Sequence, residues 1–181
     1  MNSTTLEKLV DFIRELHGHL DEMHGLEHKK RLLDDARHLG KGKAYDDDLL
    51  VFGAYLHGLK DDEKSKAVEF LQSFDFNQPV IDDIIKVALE SEKDAEPETT
   101  EGALLHDAHL IEGGKYFGIA KSLVTGTLSG QTLLETLVYI ENNHVGRFKC
   151  VFPEAQEIYT EKDKFTGEFV RHVKRVLNDE K

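Results

Sequence analysis

Three short runs of this sequence carry imidazoles and carboxylates at spacings that could do chemistry: His24-Gly-Leu-Glu-His28, Tyr55-Leu56-His57-Gly58 and His106-Asp107-Ala108-His109. Each falls in a stretch that reads as helix. Neutral imidazoles and one carboxylate, brought together from separate helices, make a divalent-metal site able to activate water. The residue after His57, where a second carboxylate would complete such a site, is Gly58.

The chain that must position these residues is 181 residues long, a length that fits one domain with a single sizeable core. Asp and Glu number 35 against 23 Lys and Arg, and the resulting net charge of -12 repels a phosphate backbone. Non-specific nucleic-acid binding and attachment to an anionic membrane are therefore disfavoured. A small phosphorylated ligand is not, because a local metal and a few basic side chains outweigh a distant negative field. One cysteine, Cys150, leaves no intrachain disulfide and points to a reducing compartment. With no apolar h-region at the start and no run of membrane-spanning length, the sequence reads as a soluble, cytoplasmic protein.

Periodicity predicts helices almost throughout. Leu6, Leu9, Phe12, Ile13, Leu16 and Leu20 recur at helical spacing behind Thr4-Thr5-Leu6-Glu7, a capping-box pattern. A second helix is expected over 25–39, stopped by Gly40. A third, over 49–56, follows the acidic run Asp46-Asp47-Asp48, which suits a helix start; it is apolar nearly all round and ends at His57. Further helices are expected over 61–74, from Pro79 to about 89, and over 101–111. The segment 91–100 has no apolar pattern and reads as a loop, of a length used both for ligand-edge lids and for plain connectors. Helices near 116–124, 129–142 and 153–177 complete the chain.

On these residues the chain resembles the HD-domain metal-dependent phosphohydrolases, well over about residues 20–125 and more loosely beyond. The likeness implies an all-α fold, one helical domain over 1–181, with the helices of 129–177 completing the bundle. It also implies a metal site. His28, in His24-Gly-Leu-Glu-His28-Lys-Lys-Arg31, is similar to the family's first ligand; His57 to the histidine of its His-Asp doublet; Asp107, in Leu105-His-Asp107-Ala-His-Leu110, to its final aspartate. Gly58 replaces the aspartate of the doublet, so one divalent ion is expected instead of two, with manganese, cobalt, iron, nickel and zinc all compatible. His109 stands where the family often has a second acidic residue, and with His24 and His106 it is the fallback ligand should His28 and Asp107 not bind the metal.

Several neighbours acquire roles from the same resemblance. His24, one turn before His28, is a substitute ligand or a phosphate contact, or else a solvated helix-start histidine. Asp61 is a proton donor or water-orienting group, or else the cap of the next helix. Arg31 and Lys60 flank the proposed ligands and are expected to contact phosphate, although Arg31 also has Asp34 and Asp35 beside it, and a buried Asp107 needs a partner that Arg31 could supply. His17, His19, His38, His144 and His172 are expected at the surface. A di-iron bundle of hemerythrin type is excluded, since only one His-x-x-x-His pair is present, with no His-x-x-x-Glu partner. The expected activity is hydrolysis of a phosphomonoester or phosphoanhydride, nucleotide-like, with no nucleic-acid or membrane partner and self-association left open. The alternative is a degenerate pseudoenzyme that keeps the fold as a ligand- or protein-binding module.

Overall fold

A computed structural model describes residues 1–18, 20–21 and 23–177. His19 lies outside the described residues. Among the described residues there are nine helices and no strand. They are α1 (Ser3–His17), α2 (Leu26–Leu39), α3 (Asp47–Leu56), α4 (Lys64–Gln72), α5 (Gln78–Glu90), α6 (Thr100–Ile111), α7 (Gly114–Leu128), α8 (Leu133–Asn143) and α9 (Pro153–Leu177). The all-α expectation holds.

Local chemistry sets most of the boundaries. Asn2 caps α1 by accepting from the Thr5 amide, so the first helix starts earlier than Thr4. Asp46 caps α3 through the amides of Asp48 and Leu49, and Asn77 caps α5 ahead of Pro79. The fourth helix is shorter than its apolar pattern suggests. Residues 61–63 form a turn in which the Glu63 carboxylate takes the Lys60 amide, and α4 begins only at Lys64.

By its contacts the chain divides into two compact units, 1–109 and 110–181, and the division falls inside α6. In the first unit α3 is the central element. Every residue from Leu50 to Leu56 is buried, and the helix packs on α5, α2 and α1. Its approach to α5 is close because Gly53 has no side chain: a Cβ there would run into Val87 and Leu105. Leu32, Leu71, Ile81, Ile84, Leu104 and Leu105 fill the core around it. In the second unit α7, α8 and α9 pack on one another, with Leu137, Ile140 and Val170 at the centre.

The segment between α5 and α6 is tied down at its far end. Glu90 is buried at the last turn of α5, and its carboxylate accepts from the amides of Glu98 at 3.2 Å and Thr99 at 3.1 Å and from the Thr99 hydroxyl. No helix of the described residues is long and apolar enough to cross a membrane.

Candidate metal centre

Three helices of the first unit each deliver one imidazole to the same point. His28 stands in the first turn of α2, His57 caps the C-terminus of α3, and His109 lies in the last turn of α6. One donor atom from each lies within 4.8 Å of the others. Ring centroids are 4.4 Å apart for His57 and His109, 5.3 Å for His28 and His57, and 5.5 Å for His28 and His109. His28 and His57 are buried and His109 half-buried, so the group has little competition from bulk water.

The end of α3 is what aims His57. The chain leaves the helix there with His57 extended, and Gly58 at φ +77°, a conformation that L side chains rarely adopt. Ser91, fully buried just after α5, then holds two of the three rings. Its Oγ lies 2.6 Å from His57 Nδ1, its carbonyl oxygen lies 3.1 Å from His109 Nδ1, and its hydroxyl donates to Ala88 O at 2.6 Å.

Charged side chains, buried Lys29 and half-buried Glu92, lie against His57. Lys29, only 2% exposed, donates through Nζ to the His57 carbonyl oxygen. Burial pushes its ammonium down to about 8, against the opposing pull of Glu92 and Glu63. The Glu92 carboxylate lies 3.6 Å from His57 Nδ1; burial pushes it above the ordinary carboxylate range, and the amide of Gly58 offsets part of that. Glu63 is also buried, which opposes its charge, yet the Lys60 amide and His17 hold it below the usual range. His17 Nε2 is 3.2 Å from that carboxylate.

The residues expected at the site are distributed unevenly. His28 and His57 come together, and the third member of the group is His109, with Asp107 outside it. Two residues apart on a helix means roughly 200° around its axis, so Asp107 and His109 leave α6 on different sides. Asp107 is fully buried and lies 2.8 Å from His106 Nδ1. His24 is not in the group; its Nδ1 is engaged by the Asp21 carboxylate at 3.0 Å. Asp61 has a side chain 98% exposed and pairs with Lys64 at 2.8 Å. Lys60 is exposed, and Arg31 is half-buried on α2, where its charge acts on Glu27. Among the other histidines, His38 and His172 are exposed and His144 is half-buried, but His17 is buried against Glu63, contrary to the surface expectation.

His109 enters the sequence reading only as a fallback ligand, and Ser91, Lys29 and Glu92 have no role in it. For His109 the available signal was the helical phase of α6, but residues 103–108 are all buried, so periodicity offers no preferred face. Lys29 read as one of a basic Lys-Lys-Arg run, and nothing local shows that it is the buried one.

No family model matches the sequence, and no curated protein matches it. Solved structures do. The chain is similar to a protein of Lactobacillus plantarum at 14% identity and a TM-score of 0.80, covering 99% of this chain and 100% of that one. It is similar to an HD-superfamily hydrolase of Bacillus thuringiensis at 14% identity and a TM-score of 0.69, covering 97% of each chain. It is also similar to Bacillus subtilis YpgQ, solved in complex with ADP, at 19% identity and a TM-score of 0.68, covering 92% of this chain and 96% of that one. At these identities the likeness is one of fold: the chain has the helical fold of an HD-superfamily hydrolase, expected from its motifs.

Proposed function

We propose that this chain is a metal-dependent phosphohydrolase that binds one divalent transition-metal ion through His28, His57 and His109 and acts on a nucleotide-like phosphomonoester or phosphoanhydride. The observation that carries this reading is the convergence of three imidazoles from α2, α3 and α6 on a fold shared with an HD-superfamily hydrolase. Three neutral imidazoles are an ordinary donor set for a mononuclear catalytic ion, which leaves a position for solvent or substrate. Bound there, a divalent ion supplies Lewis acidity and lowers the pKa of a water. The donor group has no negatively charged member, so a bound divalent ion would keep its full positive charge, which favours an anionic substrate. The ADP complex of YpgQ supports a nucleotide over a simple phosphate ester. The single, buried cysteine suits a reducing cytoplasm.

One observation favours a second reading. With Gly58 at the place of the doublet's carboxylate and no acidic residue in the donor group, the chain also fits a binding module that has kept the fold and lost turnover.

Chelator-stripped protein titrated calorimetrically with zinc or cobalt separates the two. At most one ion should bind per chain, with affinity falling as pH drops through the histidine range. His28→Ala, His57→Ala and His109→Ala should each abolish binding, whereas Asp107→Asn should keep it. Loaded protein should then release phosphate from ADP or a related nucleotide. Metal uptake without phosphate release across nucleotides and monoesters would leave the binding module; no uptake at all would sink the enzyme reading.

A further inference from the structure

Ser91 touches two of the three histidines through two different atoms, and the chemistry of those atoms decides which nitrogen each ring can offer. We propose that Ser91 is a positioning residue that holds the proton of both His57 and His109 on Nδ1, so that each presents Nε2 as its donor to a divalent transition metal.

At His109 a single contact decides. The partner of its Nδ1 is the Ser91 backbone carbonyl oxygen at 3.1 Å, an acceptor only, so Nδ1 must carry the hydrogen. At His57 two contacts decide together. The Ser91 hydroxyl owns a single proton, and its Oγ lies 2.6 Å from both Ala88 O and His57 Nδ1. Ala88 O cannot donate, so two oxygens at that separation require the hydroxyl proton between them. Toward His57 the Oγ then offers a lone pair, and Nδ1 must donate. The Glu92 carboxylate, 3.6 Å from that nitrogen, favours a proton there electrostatically. A ring with its hydrogen on Nδ1 has its remaining lone pair on Nε2, and an outer partner that fixes this tautomer also fixes the ring's orientation.

The place of Ser91 in the fold makes the double role feasible. It is the cap of α5, with φ -75° and ψ -7°, and it is fully buried, so neither its hydroxyl nor its carbonyl is diverted by solvent. The α5 helix that ends there packs on α3, whose own end is His57. One backbone position thus sets two imidazoles borne by two other helices.

The proposal rests on the metal reading above, and its first test needs no metal. Long-range proton–nitrogen correlation NMR on chelator-stripped protein with labelled histidine, recorded above the histidine titration range, should show His57 and His109 both as Nδ1–H tautomers. Ser91→Ala removes the hydroxyl but keeps the carbonyl. His57 should become a mixture of tautomers while His109 stays as it was, and zinc affinity should fall roughly tenfold. Either ring carrying its hydrogen on Nε2 in the unaltered protein would overturn the assignment. So would a Ser91→Ala chain whose His57 tautomer and zinc affinity are unchanged, since that would hand the role to Glu92. If the unaltered protein has both expected tautomers and takes up no zinc, the metal reading itself fails, and with it the ligand role given to the two nitrogens.

Discussion

Gly58 follows the His57 carbonyl that Lys29 reaches from α2, and each of the two makes a demand that a substitution would expose. At Gly58 a Cβ would meet nothing within 4 Å, so the demand is purely one of backbone, φ +77°. Gly58→Ala is expected to cost about 1–2 kcal/mol of stability and Gly58→Asp somewhat less, because Asp tolerates the left-handed region better. Calorimetric unfolding of the two stripped variants checks this, and an Ala variant as stable as the parent would show that the chain can leave α3 another way. Lys29 answers to pH instead. Folded, it releases its proton near 8; unfolded, it keeps it to 10.5. Its folded pKa is the lower one, so between those values the unfolded chain binds more protons, and stability rises with pH across the window. The metal-free protein compared with Lys29→Met should show a stability difference that climbs by about 2–3 kcal/mol from pH 8 to 10.5. A flat difference would mean that Lys29 keeps its charge throughout.

Helix existence was legible in the sequence because amphipathic stripes and caps are local. Leu9 and Ile13 on α1, or Ile81 and Ile84 on α5, announce a buried face wherever the partner lies. The ends were less legible. Residues 61–63 carry the charge pattern of a helix start, but the Glu63 carboxylate is drawn to the Lys60 amide and to His17, a partner far away on α1. The site was half legible for a similar reason. His28 and His57 are fixed by a helix start and a helix end, which motifs reveal, whereas the choice between Asp107 and His109 is a matter of rotation in a helix buried on nearly every side. The same tertiary dependence governs the segment before α6, whose polar composition reads as loose but whose far end is held by Glu90. Glu90→Ala should speed exchange of the Glu98 and Thr99 amides about tenfold or more, matching loss of a charge-assisted hydrogen bond. Unchanged exchange in hydrogen–deuterium measurements would show that other contacts hold the segment.

Over the whole molecule the dominant quantity is the net charge of -12, which makes the folded chain repel itself. Surface pairs such as Arg37 with Asp47 and Lys115 with Glu161 work the other way, but solvent and salt screen them as well, so they offset little of the repulsion. Raising sodium chloride from about 0.01 M to about 0.5 M should therefore raise the unfolding temperature by a few degrees. A falling midpoint would mean that the pairs outweigh the repulsion. A last consequence follows from the make-up of the group formed by His28, His57 and His109. Imidazoles alone impose only the general order of the first-row ions, with affinities rising along the series to copper and falling back at zinc. No carboxylate is there to tip the balance toward the harder, earlier ions. The occupant would accordingly be settled by availability, so that a cell rich in one ion and starved of another would decide, through its metal economy, which chemistry this fold performs.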